Sequence, residues 1–164
     1  MHAVHAARVL PSPVGDLWAE VTEQGLSKLY FGVPADACER GASPLIDALA
    51  RQLGEYWSGS LRTFAVPLDL QGSPFQLRVW QGLLGIPWGK TRTYLEQARA
   101  LGDENAIRAV AAANGRNPIA VVVPCHRVIG SDGSLTGYAA GLDIKRFLLE
   151  LEGSLPDHQP EFGF

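Results

Sequence analysis

The stretch Ser73-Pro74-Phe75-Gln76 divides this chain into two textures. Ser-x-x-Gln is a capping box: the serine hydroxyl and the glutamine amide each take up a backbone N–H that a helix start leaves unpaired. Proline at the first helical position has no N–H to satisfy. Upstream of it, apolar residues come in short strand-like runs; downstream they come at helical spacing. The change of texture at Ser73 predicts an α/β unit over residues 1–72 and a mainly helical domain over 73–164. With 164 residues, the chain is long enough to bury a core in one domain or two small ones.

In the first unit, "HAARVL", "GDLWAEVT" and "GLSKLYFG" are separated by "PSPVG" and "EQG". Turn residues between short alternating runs predict a β-meander. Ser43 then Pro44 suits a helix start, and Leu45, Leu49, Leu53 and Trp57 follow as an apolar stripe at a spacing of four. "GSLRTFAVPLDL" reads as one more strand and a linker. Nothing in this unit suggests chemistry.

After Ser73, "LRVWQGLLG" is helical, and "TYLE" is a second capping box opening "TYLEQARALG". Asp103 is placed to cap a third helix, "ENAIRAVAAANG". Two short helices joined through Leu101-Gly102-Asp103 predict a helix-turn-helix. The third helix sets Ala106, Ala109, Ala111, Ala112 and Ala113 around one long cation, Arg108. That pattern fits close helix packing with a solvated arginine. The sharper reading is a helix whose backbone sits tightly in a nucleic-acid groove while Arg108 penetrates the stack.

"IAVVVPCHRVIG" ends an apolar, strand-like run on Cys125 with His126 beside it. A thiol near its ordinary pKa needs a base or a cation to become a nucleophile. In a regular strand His126 would face away from Cys125, so their cooperation requires that the chain turn at Pro124. The alternative is a small core cysteine followed by a solvated turn. Downstream, "GSDGSLTGYAAG" reads as a glycine-rich hairpin or wing, and "LDIKRFLLELEG" as a helix with Glu152 at its end. A carboxylate there that reached His126 would fix its tautomer.

Net charge is −3, but residues 1–73 carry five Lys/Arg against eight Asp/Glu, and residues 74–153 carry nine against seven. The second part therefore has a weak basic excess, which permits an anionic partner there. Cys38 and Cys125 lie far apart with no Cys-x-x-Cys pairing, which predicts free thiols in a reducing, intracellular setting and no metal site. No apolar run has the length of a membrane span.

The segment "NPIAVVVPCHRVIGSDGSLTGYAAGLDIKRFLLELEG" resembles the active-site region of the O6-alkylguanine-DNA alkyltransferases. "SPFQLRVWQGLLGIPWGKTRTYLEQARALG" and "AIRAVAAANGRNP" are similar to that family's helical segments, in order. The resemblance implies a ribonuclease-H-like N-terminal domain and a winged helix-turn-helix in the C-terminal one. It implies a monomeric protein that flips O6-alkylguanine out of double-stranded DNA and moves the alkyl group to itself once, with no cofactor. By the same resemblance Cys125 is the acceptor, His126 its water-linked base, and Glu152 the carboxylate that orients the base. Tyr94 would protonate N3 of the leaving guanine. Arg108 would replace the flipped nucleotide, with Ala106, Ala109 and Ala111 against the groove. Asn117 would be a structural hinge, and Val128, Tyr138, Ala139 and Lys145 would line the guanine pocket. Gln97, Ala111 and Ala140 depart from the family's usual apolar residue and two glycines, which bears on groove fit and substrate breadth. Two rival readings are a damage sensor that flips the base but transfers nothing, and a cysteine hydrolase. The first lacks an acceptor cysteine, and the second leaves Arg108 and the helix-turn-helix unexplained.

Overall fold

The computed structural model describes residues 2–155. The three upstream runs form strands β1 (Ala6–Leu10), β2 (Leu17–Val21) and β3 (Leu26–Phe31). They make an antiparallel meander in the order β1-β2-β3, with Ala6 opposite Val21 and Leu17 opposite Phe31. Helix α1 (Pro44–Trp57) starts where Ser43 accepts the N–H groups of Leu45 and Ile46. Its buried apolar face is Ile46, Leu49, Leu53 and Tyr56, so the stripe at spacing four holds at Leu49 and Leu53 and fails at its two ends. Steps of four drift by roughly 40° each on a helix of 3.6 residues per turn, whereas steps of three, four and three hold one side. Leu45 and Trp57 are accordingly only half-buried.

The expected fourth strand does not form in residues 58–72. The linker makes one bridge, Leu26 to Leu68, in which Leu26 N–H donates to the Pro67 carbonyl and Asp69 N–H to the Leu26 carbonyl. Pro67 lacks the N–H that would extend the ladder. Together with residues 118–120, the linker covers the outer edge of β3: Leu29 N–H donates to the Pro118 carbonyl and the Leu29 carbonyl accepts from Ala120 N–H.

Beyond Ser73 come α2 (Pro74–Leu83), strand β4 (Arg92–Thr93), α3 (Tyr94–Ala100), α4 (Ile107–Gly115), strand β5 (Val128–Ile129) and α5 (Leu142–Leu151). Both capping boxes close reciprocally, Ser73 with Gln76 and Thr93 with Glu96. Asp103 caps a short 3₁₀ turn, Glu104–Ala106, by accepting the Asn105 N–H; α4 follows with Ala106 at its N-cap and no side-chain cap. Helices α3 and α4 are joined through Gly102, whose φ of +88° is one that few side chains tolerate. The glycine-rich segment 130–141 forms no hairpin. It closes through Gly130 N–H to Ser134 and Gly133 N–H to Gly130, while β5 pairs in parallel with β4.

One buried core runs through both units, from Leu17, Leu29 and Tyr56 to Val79, Val110, Ile119 and Leu148. Trp80 Nε1 donates to the Ala113 carbonyl at 2.8 Å and ties α2 to α4. Among the described residues no helix is long and apolar enough to cross a membrane. Gln97, on α3, is buried against Asn114 of α4, and the two amides satisfy each other at 2.9 and 2.8 Å. The pair is therefore the reason a polar side chain is tolerated at this buried position. Gln97→Leu alone is expected to strand the Asn114 amide and cost about 1–3 kcal/mol. Gln97→Leu with Asn114→Leu should recover most of that, as read from urea midpoints at unchanged slope.

Candidate active site

The apolar run "IAVVV" is not a strand. Ile119 makes a single bridge to Leu29, and the chain then folds on itself in three overlapping turns. Val122 N–H donates to the Ala120 carbonyl at 2.7 Å across Val121, whose φ is +70°. Val123 N–H reaches the Ile119 carbonyl, and Cys125 N–H reaches the Val123 carbonyl across Pro124 at φ −85°, ψ 65°. The first is a three-residue turn with positive φ, a costly conformation for a β-branched residue, and the last is its unstrained inverse. Such strain persists only where the surroundings over-determine it. Asn117 supplies that: its Oδ1 accepts from Ile119 N–H at 3.0 Å and its Nδ2 donates to the Val123 carbonyl at 2.7 Å. The same Nδ2 lies 3.2 Å from Cys125 Sγ, so one amide braces the turns and contacts the thiol.

The chain does turn at Pro124, into a 3₁₀ turn over Cys125–Arg127 that swings His126 fully into the interior. His126 Nε2 sits 2.8 Å from Glu152 Oε2. An ionised carboxylate only accepts, so Nε2 carries the hydrogen and Nδ1 is left as the basic nitrogen. That Nδ1 is buried and has no hydrogen-bond partner among the described residues. Burial lowers the His126 pKa, against the opposing pull of Glu152, so the ring is neutral and able to accept a proton.

Glu152 caps the C-terminus of α5 and gathers four bonds. Arg127 Nε reaches Oε1 at 2.8 Å and Arg127 Nη2 reaches Oε2 at 2.9 Å; the Tyr56 hydroxyl donates to Oε2 at 2.5 Å and His126 takes the remaining bond. Burial alone would raise the carboxyl pKa. Hydrogen bonds from His126 and Arg127, with the guanidinium charge, outweigh it and hold Glu152 at about 2. Arg127 also donates to the Ile86 carbonyl at 2.6 Å, so it is a buried strut and not part of a solvated turn.

Cys125 is half-buried. Burial pushes its thiol up, while the Asn117 hydrogen bond and the charge of Lys145 pull it down. Lys145 comes from α5, fully buried, with Nζ donating to the Thr136 carbonyl at 2.8 Å. Burial brings its pKa down to about 8, and the nearby thiol opposes that shift. The Tyr94 hydroxyl donates to the same Thr136 carbonyl, and Lys145 Nζ stands 5.9 Å from the Tyr94 ring centre. Tyr138 has a buried hydroxyl without a partner among the described residues, and burial raises its pKa.

The structure thus brings Cys125, His126, Glu152, Asn117, Lys145, Tyr138 and Tyr94 toward one place. Val128 is buried in β5 beside the Cys125 turn, and Ala139 is exposed in the glycine-rich segment. Arg108, Ala109 and Ala111 lie on the exposed face of α4, with Ala106 half-buried before it. The extra methyl of Ala111 therefore meets solvent. Ala140, half-buried, lines an open cavity of about 470 Å³ with Val14, Phe31, Val33 and Ile144. Sequence reasoning missed Arg127 and Tyr56. Arg127 stands inside the Cys-His-Arg cluster, but burial of an arginine has no sequence signature; Tyr56 is hidden because the stripe at spacing four ends on its neighbour Trp57.

A half-buried thiol backed by a neutral imidazole and a clamped carboxylate, with the exposed face of α4 joined to α3, has the parts of a thiol nucleophile. Residues 74–154 match the family described as the DNA-binding domain of 6-O-methylguanine DNA methyltransferase. The methylated-DNA–protein-cysteine methyltransferase of Methanosarcina barkeri is 49% identical over 151 residues, 88% of this chain and 94% of that protein. That of Mycobacterium bovis is 58% identical over 103 residues, 63% of this chain and 62% of that one. A crystal structure of Mycobacterium tuberculosis OGT in complex with DNA superposes with a TM-score of 0.82 at 46% identity, covering 90% of this chain and 92% of that one. The chain belongs to the methylated-DNA–protein-cysteine methyltransferase family.

Proposed function

We propose that this protein repairs double-stranded DNA by taking the alkyl group of O6-alkylguanine onto Cys125, once and irreversibly. The observation that carries the reading is the wiring of the thiol. Cys125 is held by Asn117 at 3.2 Å, and the adjacent His126 is fixed by Glu152 at 2.8 Å. The thiol proton passes to His126 Nδ1, through water, because Nε2 is already committed to Glu152. The sulfur lone pair forms the S–C bond to the alkyl carbon as the C–O6 bond breaks, and its electron pair goes to the guanine. Tyr94, released from the Thr136 carbonyl, donates its proton toward N3, and Lys145 supplies positive charge beside the developing anion. The product is a thioether, which no group in the site hydrolyses, so each molecule acts once.

The DNA side of the reading follows from α3 and α4. They serve as the helix-turn-helix, with segment 130–141 as a wing without a hairpin, and Arg108 fills the gap left by the flipped base. Val128, Tyr138 and Ala139 then enclose that base. Residues 1–72 act as a ribonuclease-H-like α/β domain and 73–164 as the DNA-binding acceptor domain; the part of the latter beyond 155 lies outside the described residues. The protein works as a monomer inside the cell, at DNA. Excess duplex carrying O6-methylguanine should leave one methyl per active molecule, found on Cys125 by intact mass and peptide mapping, and then nothing. Continued turnover beyond one equivalent overturns the single-use mechanism.

A further inference from the structure

The mechanism so far draws on the C-terminal unit alone, yet one hydrogen bond at its centre comes from elsewhere. We propose that Tyr56, on α1 of the N-terminal unit, is a positioning residue for alkyl transfer: with Arg127 it holds the Glu152 carboxylate in the place and with the charge distribution that keep His126 a neutral, oriented base. The inference rests on the alkyl-transfer reading and gives the N-terminal unit a part in it.

Tyr56 is fully buried, and its ring is fixed by three aromatic neighbours. Trp57 packs edge-on at 5.0 Å, Trp88 edge-on at 5.4 Å, and Phe64 tilted at 5.4 Å. This aims the hydroxyl at Glu152 Oε2, where it donates at 2.5 Å. The oxygen it meets is the one that holds His126 Nε2. Burial, and then the charge of Glu152, push the phenol pKa far upward, so Tyr56 stays a donor across the working range. The N-terminal unit therefore grips the acceptor segment at two points. The Leu29 backbone brackets Pro118 and Ala120 where the overlapping turns begin, and Tyr56 secures the carboxylate behind the imidazole.

The chemical consequence has a definite sign. A carboxylate whose charge were directed only at His126 would favour the imidazolium, which cannot take the thiol proton. Donors placed on the same carboxylate stabilise its charge and weaken that pull. The charged and titratable groups acting on His126 are Glu152, which raises its pKa, and Arg127 and Lys145, which lower it; Cys125 adjoins it in the chain. Tyr56 is neutral and acts through Glu152. Removing its hydroxyl should raise the pH at which His126 protonates.

The test compares Tyr56→Phe with the unsubstituted protein, using single-turnover methyl transfer from an O6-methylguanine duplex between pH 5 and 9. Tyr56→Phe keeps the ring and its packing. Its acid-side midpoint should move up by roughly 0.5–1 unit, with the rate loss growing as pH falls and transfer at alkaline pH within about twofold of the unsubstituted protein. Replacing Tyr56 by 3-fluorotyrosine, a stronger donor of nearly the same size, should move the midpoint down. Ring-nitrogen NMR of His126 should follow both directions, independently of activity and of any change in stability. An unmoved midpoint with unmoved His126 titration, or equal loss at every pH, overturns the inference and leaves alkyl transfer standing. Failure of the unsubstituted protein to transfer any methyl overturns both.

Discussion

Cys125→Ser should bind methylated duplex within a few-fold of the unsubstituted protein while losing transfer. Serine is the smaller isostere of cysteine, and its hydroxyl oxygen can accept from the Asn117 amide, which stands 3.2 Å from Sγ. The turns from Ile119 to Pro124 are held by backbone bonds and by the Asn117 side chain, so the surface offered to DNA is retained. What disappears is the nucleophile. An alcohol paired with one neutral imidazole ionises far less than a thiol and is a poorer partner for displacement at saturated carbon, so transfer should fall by at least about a thousandfold. Single-turnover assays with gel-shift titrations on the same duplex check both halves. Residual transfer mapped to Cys38 moves the acceptor to that exposed thiol, whose recorded contact is with the Glu39 carbonyl. Loss of binding together with transfer shows instead that Cys125 is part of the DNA-contacting framework.

Local chemistry was what the sequence made readable. Ser43, Ser73 and Thr93 start helices because an N-cap hydroxyl satisfies backbone N–H groups whatever the tertiary context, and all three helices begin there. The Cys-His pairing and the distant Glu152 were visible as chemically matched residue types. Features decided by non-local contact were not. Five apolar residues from Ile119 to Val123 carry strand propensity, but β3 offers this segment one bridge and Asn117 offers its backbone other partners, so the run coils into turns. Local propensity lost to a side chain two to six residues away. The same holds for the glycine-rich segment, which closes one turn on itself and ties to α3 and α5 through the Thr136 carbonyl instead of forming a hairpin ladder. Arg127 and Tyr56 were illegible for a related reason. Each matters because of a carboxylate 25 or 96 positions along the chain, and no periodicity encodes that distance.

Arg108→Ala should slow transfer from duplex DNA by about ten- to a thousandfold, while leaving the fold and the thiol chemistry intact. The structure makes this substitution unusually clean. Arg108 is exposed in the first turn of α4, and no ion pair or side-chain hydrogen bond is recorded for it among the described residues. Alanine is the best helix former, so α4 does not weaken. Its neighbours Ala109, Ala111 and Ala112 leave nothing else on that face long enough to take its place. If Arg108 fills the stack vacated by the flipped base, its loss leaves an unstacking cost of a few kcal/mol uncompensated, and about 1.4 kcal/mol is one decade in rate. Free O6-benzylguanine has no stack to leave, so transfer from it, where the protein accepts that base, should be unchanged. An Arg108 that only contacts phosphate gives a different pattern: weaker binding to damaged and undamaged duplex alike, with the salt slope reduced by about one. Equal losses on duplex and free base reject the stacking role. A duplex-specific loss that vanishes when the alkylguanine lies opposite an abasic gap supports it, because the opposing base then no longer holds the guanine in place.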